Sequence, residues 1–201
     1  MAERDYTGII PPQEEGTEIK AEESRDFDNT DAAKAAYENA KQRLLRVNGW
    51  HDLGLRAEFQ LVNVRGEEVD GPASKGLYFR IDIPGPGTIA GDGYDWVCVV
   101  QIAEYNSPDI QSIALQVKPA PNPTEPEPET THFYSDKSTS TFTVTREGNK
   151  LTAAVYDRNI EPNTESERIP DKLRNAVIGT AGMTIFSKLE WEDLAYGLVT
   201  V

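Results

Sequence analysis

The chain has 201 residues, with 34 Asp and Glu against 20 Lys and Arg and a formal net charge of −14. That length fits one domain with room for a small appendage. The sign of the charge argues against binding to nucleic-acid backbones or to anionic membrane surfaces.

Residues 1–28 read as an acidic, flexible tail. They hold nine acidic and three basic residues, and their few apolar positions show no period that would bury surface. Residues 29–201 read as a single globular domain. A helix is predicted over about 31–47, capped by Thr30 and stopped at Asn48-Gly49, because Ala33, Ala36, Tyr37, Ala40, Leu44 and Val47 recur at steps of three and four. Trp50 follows as a core anchor. The period then changes to two. Leu53, Leu55, Ala57, Phe59 and Leu61 alternate with polar residues and predict a strand. Further strands are predicted from Leu77, Phe79, Ile81 and Ile83, from residues 94–104, and from Ile113, Leu115 and Val117.

Prolines at 119, 121, 123, 126 and 128 interleave with Glu125, Glu127 and Glu129, so residues 119–130 read as an extended, solvated linker inside the domain. A hairpin is expected next. Phe142 and Val144 lie on one arm, Leu151, Ala153 and Val155 on the other, with the turn at Glu147-Gly148-Asn149. The C-terminal end reads as helical, with Pro170 in a first turn. A last helix is expected to start at Ser187, with Glu190 completing a capping box and Phe186 and Trp191 a hydrophobic staple. The fold expected from this order is α+β, mainly β: an antiparallel barrel or sandwich of about six strands, with an N-terminal helix and C-terminal helices packed on it.

Few motifs carry chemistry. The one cysteine, Cys98, cannot form an internal disulfide or a Cys-rich zinc site, and Val97, Val99 and Val100 around it predict a small buried hydrophobe. The stretch 84–94 has four glycines, but a strand follows it where a phosphate loop needs a helix, and no P-loop Lys is present. Asp82, Asp92 and Asp95 flank it without the spacing of a calcium loop. His51 and His132 stand far apart and lack a serine in a sharp-turn motif. Tyr94, His132 and Tyr134, if they met around the Gly-rich loop, would line an aromatic pocket. The candidate ligand-binding residues are therefore Asp82, Asp92, Tyr94, Asp95, His132 and Tyr134. No metal and no cofactor is expected.

The runs Val47-Asn48-Gly49-Trp50-His51-Asp52, Ile81-Asp82-Ile83-Pro84-Gly85-Pro86-Gly87 and Ala90-Gly91-Asp92-Gly93-Tyr94-Asp95-Trp96-Val97 resemble a family of uncharacterised bacterial proteins of about this length. So do Val117-Lys118-Pro119-Ala120-Pro121-Asn122-Pro123 and residues 141–149. That resemblance covers most of the chain after residue 28 and implies a self-contained bacterial domain. It carries no activity, cofactor or site residue.

The N-terminus lacks the basic and apolar regions of a secretory leader, and no run approaches the roughly 18 apolar residues of a membrane span. A cytoplasmic protein is expected. The preferred functional reading is a non-enzymatic, soluble interaction or accessory protein with a protein partner or self-association, and with neither nucleic acid nor membrane as partner. The alternatives are a small-ligand binder using the Gly-rich loop 84–94, and a small hydrolase using carboxylates near Asp82, Asp92 and Asp95. The segments 1–28 and 119–131 together hold −9 of the net charge, so the remaining body is only mildly acidic.

Overall fold

The computed structural model describes residues 4–83, 93–125, 130, 132, 134–163 and 177–200, with side chains of the last helix described from Thr184 onward. The elements in chain order are β1 (Thr17–Asp26), α1 (Thr30–Leu45), a 3₁₀ helix (Val47–Leu53), β2 (Glu58–Val62), β3 (Tyr78–Asp82), β4 (Asp95–Asn106), β5 (Ile110–Pro119), β6 (Thr139–Glu147), β7 (Lys150–Ile160) and α2 (Val177–Val199). The strands form one seven-stranded sheet in the order β1-β7-β6-β5-β4-β3-β2. Every neighbouring pair is antiparallel. The architecture is α+β, mainly β. It is an open sheet with helices on it, which corrects the expected barrel or sandwich of six strands.

The seventh strand comes from the acidic segment. Residues 17–26, expected in a flexible tail, pair along β7 from Thr17 opposite Ile160 to Asp26 opposite Lys150. Ile19 and Ala21 supply the buried positions. Residues 4–16 run on as an ordered strap. The Gln116 amide donates to the Ile9 carbonyl (2.6 Å), the Asn159 amide donates to the Pro12 carbonyl (3.2 Å), and Tyr6 stacks on Tyr105.

The core occupies the face that receives the helices. Phe59, Leu61, Phe79, Ile81, Val97, Val99, Ile113, Leu115, Val117, Phe142, Val144, Leu151, Ala153 and Val155 form it with the helical residues. Alternation explains the set, since residues two apart share a face. α1 meets this face through Ala33, Ala36 and Ala40, whose small side chains allow close approach, with Tyr37 and Leu44 filling the gaps. Its cap is Asn29, whose side chain accepts from the Ala32 N–H, in place of the expected Thr30. Trp50 is fully buried against Phe59, Phe79 and Phe142, with ring centroids 5.1, 5.8 and 5.0 Å away. Its indole N–H reaches the Leu44 and Arg43 carbonyls at the end of α1, so one residue closes a helix and seeds the core.

The β6–β7 hairpin turns at Gly148, whose φ of +60° suits glycine. Arg146, fully buried, donates to the Gly148 and Pro108 carbonyls and to Gln111, tying two adjacent turns together. Of the Pro/Glu stretch, Pro119 ends β5 while Ala120 and Asn122 are buried, so its start packs against the body and is not solvated. Residues 126–129 lie outside the described residues.

Candidate functional site

The functional candidates converge where α2 crosses one end of the sheet. β2, β4 and β6 begin there, and β3, β5 and β7 finish there. The inward alternation of β4 runs Val99, Val97, Asp95, and that of β7 runs Val155, Asp157. Each strand thus carries its apolar face one step further and places a carboxyl on it. Between them stand Val117 of β5 and Ser140 of β6, which is opposite Asp157 in the ladder. Ile81 of β3 pairs with Asp95.

These residues floor a small cavity of about 60 Å³, walled by Ala57, Phe59, Phe79 and Phe142 and by His132 and Tyr134, and covered by Phe186, Ser187, Glu190 and Trp191 of α2. The polar groups have unequal partners. The Trp191 indole N–H donates to Asp157 Oδ2 at 2.7 Å, while Asp157 Oδ1 has no partner. Neither oxygen of Asp95 has one. Both residues are buried, at 3% exposure for Asp95 and 2% for Asp157. Burial holds the Asp95 carboxyl well above the usual carboxylate range. Burial pushes Asp157 up to about 6, although Ser140, Trp191 and Arg158 each pull it back toward ionisation.

Tyr134 Oη and Ser187 Oγ lie 3.3 Å apart. Burial raises the Tyr134 phenol, and the carboxyls of Asp157 and Asp95 add to the rise. His132 Nδ1 accepts from the Tyr134 N–H at 3.0 Å, and its ring sits 5.5 Å from the Tyr134 ring. Burial holds His132 down to about 4, so it is a neutral imidazole at pH 7. Asn163 fixes this segment by donating to the Thr130 and His132 carbonyls. Glu190 turns away from the cavity's centre, and its carboxylate accepts from the Arg56 N–H and the Ala57 N–H at 3.0 and 3.1 Å.

The structure brings together Asp95, His132 and Tyr134 of the six expected residues and separates two others. Asp82 is exposed and alternates with the inward Ile81, so it points to the opposite face of the sheet. Tyr94 also belongs to that face, where the Arg80 guanidinium stands 5.1 Å from its ring centroid. Asp82 and Tyr94 line an open outer cleft with His51, Glu58 and Arg80. The expected aromatic pocket therefore lacks Tyr94, and of the carboxylates expected for a hydrolase the pleat puts Asp82 and Asp95 on opposite faces. Asp92 and the Gly-rich residues 84–92 lie outside the described residues. Cys98, expected to be buried, is half-buried on the Tyr94 side of β4 beside Tyr78. Its thiol is pushed up by burial.

Three cavity residues went unread in the sequence: Asp157, Ser140 and Trp191's role as a donor. The alternation of Leu151, Ala153 and Val155 continues to Asp157, so an acid at an inward strand position was the available signal. Ser187 is a correction. It lies in the middle of α2, not at an N-cap, and its hydroxyl faces Tyr134 while Glu190 serves backbone 133 residues away in sequence. Among the described residues, no three His, Cys, Asp or Glu side chains gather to hold a metal ion. No helix there is long and apolar enough to cross a membrane.

No family model and no curated protein matches the chain, in keeping with its resemblance to a family without assigned activity. Solved structures are similar to it only distantly. A hypothetical protein of Helicobacter pylori is 10% identical, with 92% of this chain and 89% of that one covered and a TM-score of 0.48. A Thermus thermophilus protein is 14% identical over 91% and 94% of the two chains, with a TM-score of 0.39. The ginseng major latex-like protein 151 of Panax ginseng is 13% identical over 86% and 97%, with a TM-score of 0.35. No residue role passes from them to this chain.

Proposed function

We propose that the protein binds a small, mainly apolar molecule in the cavity between the sheet and α2. The observation that carries this is the make-up of the cavity: aromatic and aliphatic walls from five strands and α2, with a few polar side chains converging from β4, β6, β7 and the 132–134 segment. Binding sites have this composition, in which apolar walls supply affinity and a few polar groups supply orientation. The reading takes up the small-ligand alternative. It seats the ligand on the sheet's inner face, with Asp95, His132 and Tyr134 among the lining residues.

The size sets the ligand class. A void of about 150 Å³ accepts benzene, so a cavity of about 60 Å³ suits a branched aliphatic group of a few heavy atoms. The test is a titration of the ¹⁵N-labelled full chain with neutral fragments such as isobutanol and cyclopentane, followed by amide shifts. Shifts clustered at 95–99, 140–142, 155–157 and 186–191 are expected. Val97→Phe, which fills the cavity with a larger side chain, should abolish them while the protein stays folded. Fragments that perturb only other residues, or binding that survives Val97→Phe, would defeat the reading.

A further inference from the structure

The two buried carboxyls determine which head group the cavity accepts. An apolar environment that leaves an acid oxygen without a hydrogen bond is unfavourable, and more so when the group is charged. Three such oxygens stand here, both of Asp95 and Oδ1 of Asp157, and all belong to residues lining one cavity. Titratable groups face them from several elements. β4 contributes Asp95, β7 Asp157, the 132–134 segment His132 and Tyr134, and α2 Glu190. Glu190 is committed to the Arg56 and Ala57 backbone, and no Lys or Arg lines the cavity among the described residues. Among the described residues the cavity lining is therefore rich in acceptors and carries no cationic side chain, Arg158 acting on Asp157 from outside it.

We propose that the ligand is a compact primary amine, held as its ammonium ion by Asp95 and Asp157 with its alkyl group against Phe59, Phe79, Val97 and Phe142. The inference rests on the cavity being a binding site. An ammonium has three donors and no acceptor, which matches the three unpartnered oxygens and would pair the charge that burial otherwise penalises. Asp157, already ionised at pH 7.5, pairs the ammonium's charge, and Asp95, kept neutral by burial, accepts from its remaining donors, so the filled cavity carries no net charge. An anionic head group would meet the ionised Asp157 with no cation of the described lining to offset it, and is rejected. A neutral alcohol offers a single donor.

The experiment compares three probes of one shape on the full chain by NMR at pH 7.5: isobutylamine, isobutanol and isobutyrate. Isobutylamine should bind the cavity residues at least tenfold more tightly than isobutanol, and isobutyrate should leave them unmoved. Asp157→Asn, which keeps shape and removes the charge, should bring the amine down to the alcohol's affinity. Asp95→Asn should weaken the amine severalfold. Val97→Phe should abolish binding of both. Equal affinity of amine and alcohol at the cavity, or an amine preference that persists in both Asn variants, overturns the amine assignment and leaves the binding site standing. Silence of the cavity residues toward all three probes overturns the site as well.

Discussion

Glu190 shows how one side chain links distant segments. Its carboxylate is the acceptor for two backbone N–H groups where the chain leaves the 3₁₀ helix for β2. Glu190→Ala strands both donors, one of them on buried Ala57. The expected loss is about 2–4 kcal/mol in chemical denaturation, and Glu190→Gln, which keeps one carbonyl oxygen, should lose about half as much. The sequence pointed elsewhere. Ser187 and Glu190 have the spacing of a capping box, so a local explanation competes with the tertiary one, and only the fold decides. Asp95 was legible as a candidate because it sits beside glycines, yet its separation from Tyr94 and Asp82 was also legible. Neighbouring residues in a strand face opposite sides, and the apolar alternation of β3 and β4 already assigns those sides.

At the scale of elements, long alternating strands were readable and edges were not. β3 through β7 carry enough apolar inward residues to announce themselves. β1 buries only Ile19 and Ala21 among charged neighbours, because an edge strand needs few apolar contacts and much solvation. Its pairing depends on β7, more than 120 residues later, and no local window contains that information. α2 presents a second case, in which close packing replaces a side chain. A Cβ added at Gly197 would stand 2.7 Å from both Cβ and O of Leu53. Alanine gains about 1 kcal/mol over glycine in helix propensity, but overpacking costs about 1–3 kcal/mol. Gly197→Ala is therefore expected to lower the melting temperature by a few degrees, measured by calorimetry. A rise would show that the end of α2 is free to shift.

At the scale of the whole molecule, buried ionisable groups set the dependence on pH. Asp157 titrates near 6 in the fold against an ordinary 3.8. A raised acid stabilises the fold most below its unfolded value, and that stability is lost as pH rises through the folded one. Asp95 shifts in the same direction. His132 works in the opposite sense. Its folded value near 4 lies below the ordinary 6.5, so its contribution is complete above 6.5 and is lost as pH falls toward 4. Two pKa units correspond to about 3 kcal/mol, and the histidine's share is smaller because the residue is partly exposed. Two acids outweigh one imidazole. The natural chain should be at least as stable at pH 5 as at pH 7, and the Asp95→Asn, Asp157→Asn double variant should be less stable at pH 5 than at pH 7. Denaturant midpoints at the two pH values check both. An equal gain on acidification in the double variant would remove the cavity acids from the account.

The acidity of the N-terminal segment has a use that a tail would not give it. β1 is the outer edge of the sheet, and it carries Glu18, Glu22, Glu23 and Asp26 with Lys20 and Arg25. An open edge of ten residues would otherwise offer unpaired backbone to any passing strand, the first step in fibril growth. Charges spaced along that edge make a second copy's approach costly in Coulomb repulsion and lost hydration. At the far edge, β2 is only five residues long, and the chain folds back over it through the bridge between Val62 and Glu68. Both edges of the open sheet thus carry features that oppose strand addition.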